Sequence, residues 1–500
     1  MTALNPIDFI DAYKIDHRRM YPEGTEYVYS NLTPRGSRVS GVTHLTFFGL
    51  QGFLKRVLGE MFDAWFQRDE DEVCAEYERR ILGILGPNEV GSGHIRALHR
   101  KGFLPLVFRA LPEGTRVPMR LPVFTVENTD PEFFWLTNYI ETMLSAETWM
   151  PSTSATLAVR MRELLDDWAS ATGGAPQAVD FQSHDFSFRG MSSIEAAGAS
   201  GAGHLLSFAG TDSVVTLNWI EKNYEVEEGT VLGMSVPATE HSVMCAGGAE
   251  NEEETFRRLL NLYPSGIVSV VSDSWDLWKV LTEMLPAMKD EIMARDGKLV
   301  IRPDSGDPAE ILCGYEPETE VEPNGVFTEP YAETPDTKGV IELLWGVFGG
   351  RINDKGYKEL DSHIGTIYGD AITYERANDI CQRLEEKGFA STNVVFGVGS
   401  FTYQYNTRDT FGFAMKATQA RINGEWVDLF KDPVTDNGMK KSAKGRLAVV
   451  QGETDLELIE MATHEQEKSS LLELVWRNGE FIKEHSWNDI VARVGKRLLK

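Results

Sequence analysis

Ile-Val-Ser-Val-Val at 267–271 and Lys-Leu-Val-Ile-Arg at 298–302 are the runs from which the fold is read. Both are short, apolar and rich in β-branched residues, as a buried strand requires. Both end in polar turns, Ser272-Asp273-Ser274 after the first and Pro303-Asp304-Ser305-Gly306 after the second. Similar runs stand at Ala-Val-Asp-Phe (178–181), Gly-Thr-Val-Leu-Gly-Met (229–234), Ile-Gly-Thr-Ile-Tyr (364–368) and Asn-Val-Val-Phe (393–396). Helical patterns fit between several of them: Ala377, Ile380, Cys381 and Leu384 share one face, with Glu375, Arg383, Glu385 and Glu386 mostly on the other. Alternating strands and helices predict parallel strands with crossovers, in a barrel or a doubly wound sheet. The turns His184-Asp185-Phe186, Gly369-Asp370 and Gly397-Val398-Gly399-Ser400 add functional groups at further strand ends. An α/β barrel presents its catalytic groups there. The expectation is an irregular α/β barrel over residues 151–408.

Outside that span the pattern changes. Residues 1–150 are aromatic-rich with no regular alternation, and residues 409–500 contain a hairpin-like piece around Asn423-Gly424. The two ends are expected to pack together as a second, mixed α+β domain. Glu316 to Lys338, rich in Pro, Glu and Thr, is expected to be a surface excursion.

The 500 residues carry a formal charge of −27, which argues against nucleic acid or an anionic membrane as a partner. An anionic substrate must then be drawn in by a local cluster of arginines. No apolar run reaches the length of about 18 residues that a membrane helix needs. The N-terminal Met1 to Asp11 has no basic stretch before an apolar one, so no secretory leader is expected. Cys74, Cys245, Cys313 and Cys381 are widely spaced, which fits free thiols in a reducing, cytoplasmic setting and does not fit structural zinc.

Three segments concentrate chemistry. Arg302-Pro-Asp-Ser-Gly-Asp307 combines a fixed cation, carboxylates and a tight turn. His184-Asp-Phe-Ser-Phe-Arg-Gly190 adds an imidazole, two aromatic rings and Arg189. Ser235-Val-Pro-Ala-Thr-Glu-His241 sets Glu240 beside His241. Arginines suit phosphates, carboxylates suit hydroxyls or Mg²⁺, and aromatic faces suit a flat ring. That inventory fits a ribose-phosphate substrate and a heteroaromatic partner, without naming the base.

These segments occur in order with Asp11-Ala-Tyr-Lys-Ile-Asp-His17, Tyr21-Pro22, Phe47-Phe-Gly-Leu-Gln51, Gly210-Thr-Asp212, Ser269-Val-Val-Ser-Asp-Ser274, Phe430-Lys-Asp-Pro433 and Lys444-Gly-Arg446. Over nearly its whole length the chain resembles the nicotinamide phosphoribosyltransferases, dimeric type II phosphoribosyltransferases. The resemblance implies a homodimer with sites at the subunit interface. Its implied reaction is transfer of phosphoribosyl from phosphoribosyl pyrophosphate to nicotinamide, giving nicotinamide mononucleotide and pyrophosphate for NAD biosynthesis. Mg²⁺ and stimulatory ATP are the implied cofactors.

The resemblance also implies residue roles. Phe186 and the partner subunit's Tyr13 sandwich the pyridine ring, Asp212 accepts from the carboxamide NH₂, and Arg302 lies beside the ring. Ser235 and Ser269 belong to the substrate pocket. Asp304, Gly369 and Asp370 face the ribose, and Gly399, Ser400 and Arg408 hold the 5′-phosphate. Arg189 binds pyrophosphate, helped by Arg35, Lys416 and Lys431. His241 is the histidine that ATP phosphorylates, with Glu240 and Asp273 near its ring. Mg²⁺ meets Asp304 through the substrate. The chain departs from the family pattern at Ser187 and Ser400, commonly glycine, and at Phe188, commonly tyrosine. Two other functions stay open: a nicotinate phosphoribosyltransferase, and a non-catalytic binding protein on the same scaffold. Asp212 bears on the first, because it attracts an amide and repels a carboxylate; its plain structural alternative is a cap on the helix beginning near Ser213. The arginines, acids and His241 bear on the second.

Overall fold

The computed structural model describes residues 5–316, 333–369, 372–430 and 443–496. Six strands form one parallel sheet, in the order Gly210–Thr211, Ser183–Asp185, Val394–Val398, Ile364–Tyr368, Asp296–Arg302, Ser265–Val271. Parallel strands are covered on both faces, so their runs are continuously apolar. Ile364–Tyr368 is buried at every position. Helix Tyr374–Glu386 covers the sheet with Ala377, Ile380, Cys381 and Leu384, as their spacing predicts.

Two of the expected strands take another form. Residues 178–181 lie in helix Pro176–Gln182, and the chain becomes extended only at Ser183–Asp185. Pro176 is preset for the first helical turn, and Asp180 is held by Arg162 at 2.8 Å, so this run serves a helix start. Residues 229–234 form no regular strand. Met234 donates to the Ala209 carbonyl (2.7 Å) and accepts from Thr211 N–H (3.0 Å) at one sheet edge. Three residues on, Pro237 accepts from Ser269 N–H (2.9 Å), and Thr239 N–H donates to the Ser269 carbonyl (3.0 Å) at the other edge. One irregular segment thus bridges both edges of a curled sheet.

The second sheet is seven-stranded and antiparallel where register is defined, with strands from both ends of the chain. Thr25–Pro34 lies between Phe413–Ile422 and Phe124–Asn128; Leu106–Ala110, Glu473–Arg477 and Glu480–Phe481 follow outward. The hairpin at Asn423-Gly424 pairs Ile422 with Glu425, leaving a two-residue loop in which both residues have positive φ (+51° and +83°). That is the backbone a tight hairpin demands. Trp476, Phe108, Phe124 and Trp65 anchor the core beneath this sheet.

Helix Glu141–Thr172 joins the two bodies. Met143 and Leu144 pack in the core of the antiparallel sheet, while Ala158, Met161, Leu164, Leu165 and Ala169 pack in that of the parallel sheet. A third cluster sets Phe48 against Trp219, Tyr224 and Trp487 of the C-terminal helix Trp487–Val494. Beside it Gln51 donates to the carbonyls of Asn223 and His485 and accepts from His485 N–H. Phe47-Phe-Gly-Leu-Gln51 is therefore a joint between the N-terminal part of the chain, helix Val214–Asn223 and the C-terminal helix.

Candidate active site

One side of the site is built on the two strands at one edge of the parallel sheet. Strand Ser183–Asp185 carries His184 and delivers Phe186 at its carboxyl end. The Phe186 ring needs space that the next strand provides: a Cβ at Gly397 would lie 2.8 Å from it. The imidazole of His184 lies 4.8 Å from that ring, centroid to centroid, and packs flat on Gly210. Its Nε2 is 2.9 Å from Oδ1 of Asp212, and the Ser235 hydroxyl donates to the same oxygen at 2.5 Å. Burial acts to raise the Asp212 pKa, but the hydrogen bonds from His184 and Ser235 and the charge of Arg302 outweigh it and hold the carboxyl below its usual 3.8. Asp212 is thus an ionised acceptor, and it does not cap the following helix, whose N-cap position is Ser213.

The other side lies along the strand ends at the opposite edge of the sheet. Arg302 ends its strand, donates from Nη2 to the Thr239 carbonyl (2.6 Å), and keeps Nε buried with no partner among the described residues. Burial lowers its pKa, opposed by Asp304, Asp212 and Asp273. Asp273 accepts from Asp304 N–H (2.8 Å) and the Ser305 hydroxyl (2.6 Å), shaping the turn after Arg302. The ring of His241, 51% exposed, meets Ser274 Oγ at 3.4 Å and Asp304 Oδ2 at 3.6 Å. The sequence reading set Glu240 and Asp273 beside this ring. In the structure Glu240 lines the same cavity as His241 and accepts from the Ser242 hydroxyl, and Asp273 supports the Asp304 turn. Gly369 leaves room for Asp304, whose Oδ1 would lie 2.3 Å from a Cβ there.

Both serine departures sit on ordinary backbone. Ser187 has φ −73°, and its N–H donates to Asp185 at 2.9 Å. Ser400 begins the short helix Ser400–Gln404, and its hydroxyl occupies the space above Gly190, where a Cβ would come within 2.0 Å. A glycine at 190 thus makes room for the side chain at 400.

An open cavity of about 700 Å³ brings together Phe186, Phe188, Arg189, Asp212, Glu240, His241, Arg302, Asp304, Gly369, Gly399 and Ser400. A second, of about 360 Å³, shares Phe186, Asp212 and Arg302 with the first and adds His184, Ser235, Ser269, Lys298 and Thr392. Tyr13, Arg35, Arg408 and Lys416 line neither cavity. Tyr13 is 64% exposed. Asp370 and Lys431 lie outside the described residues. Sequence reasoning missed Ser274, Thr239 and Gly397 as supports, because contacts between separate strand ends leave no local pattern.

Two solved structures of similar fold carry names of nicotinate enzymes. Nicotinate-nucleotide pyrophosphorylase from Pyrococcus furiosus superposes with TM-score 0.55 at 13% identity, over 99% of this chain and 96% of that one. Human nicotinic acid phosphoribosyltransferase gives 0.51 at 14% identity, over 97% and 92%. Together with the Nicotinate phosphoribosyltransferase (NAPRTase) family model, which matches residues 181–480, they place the fold among the type II phosphoribosyltransferases. The model of the nicotinamide phosphoribosyltransferase N-terminal domain matches residues 7–69. Nicotinamide phosphoribosyltransferase from Acinetobacter baylyi is 50% identical over 99% of this chain and 98% of its own length, and that from Mycoplasma pneumoniae 38% over 89% and 96%. The chain belongs to the nicotinamide phosphoribosyltransferase family.

Proposed function

We infer that the chain transfers the phosphoribosyl group of phosphoribosyl pyrophosphate to the ring nitrogen of nicotinamide, releasing pyrophosphate and forming nicotinamide mononucleotide. The observation that carries this reading is the ionised Asp212 carboxylate in one pocket with the Phe186 ring. A carboxylate there accepts from an amide NH₂ and repels the carboxylate of nicotinate. The attacking nitrogen is neutral with a free lone pair, so no general base is needed. The slow event is departure of pyrophosphate from C1 of the ribose, which builds positive charge on the sugar. Arg189 and Arg302 stabilise the departing anion, and Asp304 faces the cationic sugar. Phe186 orients the ring, and the pyridinium product stacks on it better than the neutral substrate. Gly399 and Ser400 hold the 5′-phosphate.

Mg²⁺ fits this site through the substrate. It takes one or two carboxylates plus phosphate oxygens and keeps several waters, and Asp304 is the carboxylate in place. Among the described residues no group of three His, Cys, Asp or Glu forms a protein-only cage. When bound, Mg²⁺ neutralises charge on the leaving group. His241, exposed beside Ser274 and Asp304, is the residue that ATP phosphorylates, adding acceptor oxygens next to the pyrophosphate site.

The reading includes a homodimer in which the partner subunit's Tyr13 completes the pyridine sandwich, while Arg35 and Lys416 help Arg189 hold the pyrophosphate; the 64% exposure of Tyr13 on its own chain supports it. Residues 1–150 with 409–500 form one domain and residues 151–408 an irregular barrel, with the boundary inside helix Glu141–Thr172; the segment bridging both sheet edges supports the barrel. A cytoplasmic setting belongs to the same reading; no helix of the described residues is long and apolar enough to cross a membrane. The test is product identification. Pure protein with phosphoribosyl pyrophosphate, Mg²⁺ and either base, followed by mass spectrometry, should yield nicotinamide mononucleotide. The nicotinate product as the main one would overturn the reading.

A further inference from the structure

Both donors to Asp212 choose the same oxygen. His184 Nε2 lies 2.9 Å from Oδ1, and the Ser235 hydroxyl lies 2.5 Å from it. A carboxylate oxygen has two lone-pair sites, so Oδ1 is filled and Oδ2 has no donor among the described residues. An ionised carboxylate only accepts, which fixes the His184 tautomer with its proton on Nε2. The backbone is pinned as well: Asp212 N–H donates to the Asp185 carbonyl at 3.0 Å. Ser235 is brought opposite by its neighbour Met234, which is bonded to both Ala209 and Thr211 at the sheet edge. His184 touches the other base-reading group too, since its ring packs 4.8 Å from Phe186.

We propose that His184, with Ser235, is a positioning residue for base selection: together they occupy Oδ1 of Asp212 and so present Oδ2 as the single open acceptor for the carboxamide NH₂. The proposal rests on Asp212 reading the base. His184 acts through Asp212 and Phe186 and takes no part in bond breaking. Gly210 is required for it, because a Cβ there would lie 2.6 Å from His184 Nδ1. Without His184 the carboxylate keeps its charge but can turn, so the directed hydrogen bond to nicotinamide weakens and the repulsion of nicotinate is blurred.

The test measures kcat/KM for nicotinamide and for nicotinate in His184→Leu, His184→Gln, Ser235→Ala and Asp212→Ser, and in the double variant His184→Leu/Asp212→Ser. His184→Leu should lower the preference for nicotinamide about tenfold, mainly through KM, the scale of one hydrogen bond to a charged group. His184→Gln places an amide N–H where Nε2 was and should keep the preference within about threefold of wild type. In the Asp212→Ser background His184→Leu should change the ratio no further. If His184→Leu does not fold, Ser235→Ala, which deletes one oxygen, must show the loss of preference by itself. A folded His184→Leu with an unchanged ratio, an equal loss for both bases, or a further ratio change in the Asp212→Ser background overturns the proposal. Should Asp212→Ser alone leave the ratio unchanged, the base-reading assignment itself fails, and the proposal falls with it.

Discussion

Arg189 and Arg302 illustrate how single cations work in a chain of charge −27. No carboxylate among the described residues lies within ion-pair distance of Arg189, which is exposed at the cavity mouth. Arg302 is tied to the Thr239 carbonyl and has an unused, buried Nε. Both can therefore bind an incoming anion without first breaking a pair. Arg189→Ala and Arg302→Ala should each reduce kcat/KM by at least about 100-fold while the protein stays folded. Near-normal turnover in Arg189→Ala would remove it from the pyrophosphate site. Asp212 makes the residue-scale prediction about specificity. A charge-assisted hydrogen bond is worth about 1.5–3 kcal/mol, and repulsion of the wrong base adds to it. Asp212→Ser should lower nicotinamide use and raise nicotinate use. Because its folded pKa is depressed, the discrimination is fully present above 3.8 and is lost only as pH falls below that value. A base ratio that changes across neutral pH, where both bases keep a fixed charge, would contradict the assignment.

At the scale of elements, the site depends on supports placed between strands and helices. His204 of helix Ile194–Leu205 is fully buried, with Nδ1 at 2.6 Å from the Tyr403 hydroxyl and Nε2 at 3.1 Å from the Gly210 carbonyl. It ties the helix that starts at Ser400 to the strand that leads into Asp212. Burial pushes its pKa down to about 4, against the opposing influence of Asp185 and the Gly210 bond. The imidazole is therefore neutral in the fold. Its contribution to stability is complete above the unfolded value of 6.5 and is lost as pH falls toward 4, with a slope of up to about 1.4 kcal/mol per pH unit. Wild type should unfold at a higher temperature than His204→Gln at neutral pH, with the gap closing across that window. Gly397 supports the other half of the site. Gly397→Ala would set a methyl group 2.8 Å from the Phe186 ring and 2.6 Å from the Tyr368 carbonyl, so the ring must move. We expect the KM for nicotinamide to rise by about tenfold or more, as displaced geometry allows. An unchanged KM would separate Phe186 from base binding.

At the scale of the whole molecule, large apolar side chains stand in solvent: Phe188 of the cavity lining and Ile194, Val214, Phe401 and Tyr405, near lining residues in the chain, are exposed, and so is Tyr13. Tyr13 lies outside the cavity it is expected to complete. If the partner subunit's Tyr13 closes each site, mixing Tyr13→Ala with Asp304→Ala protein should restore activity. Random exchange of equal amounts leaves about a quarter of all sites intact, since a hybrid of a two-fold dimer holds one good site. No recovery after demonstrated subunit exchange would mean that Tyr13 serves its own chain.

The sequence by itself determined the class of the fold, because the periodicity of apolar residues is a local property. The runs at 267–271, 298–302 and 364–368 are strands, and 374–386 is a helix with the expected buried face. Asn423-Gly424 was legible as a hairpin, since its positive φ values need those residue types. The chemistry gathered in the strand-end turns was also legible, because those turns are short and written in consecutive letters, whereas the roles of single residues rest on the family resemblance. Only the tertiary structure decided what those residues do to one another. Residues 178–181 became helix because Pro176 and the Asp180–Arg162 pair outweigh a four-residue apolar run. Residues 234–239 bridge two sheet edges through hydrogen bonds to partners 23 to 32 positions away in the chain, beyond any periodicity. The choice of Oδ1 of Asp212 by both His184 and Ser235 is likewise a meeting of three separate segments. Local pattern follows from side-chain spacing along one element, whereas which oxygen stays open follows from where distant elements place their donors.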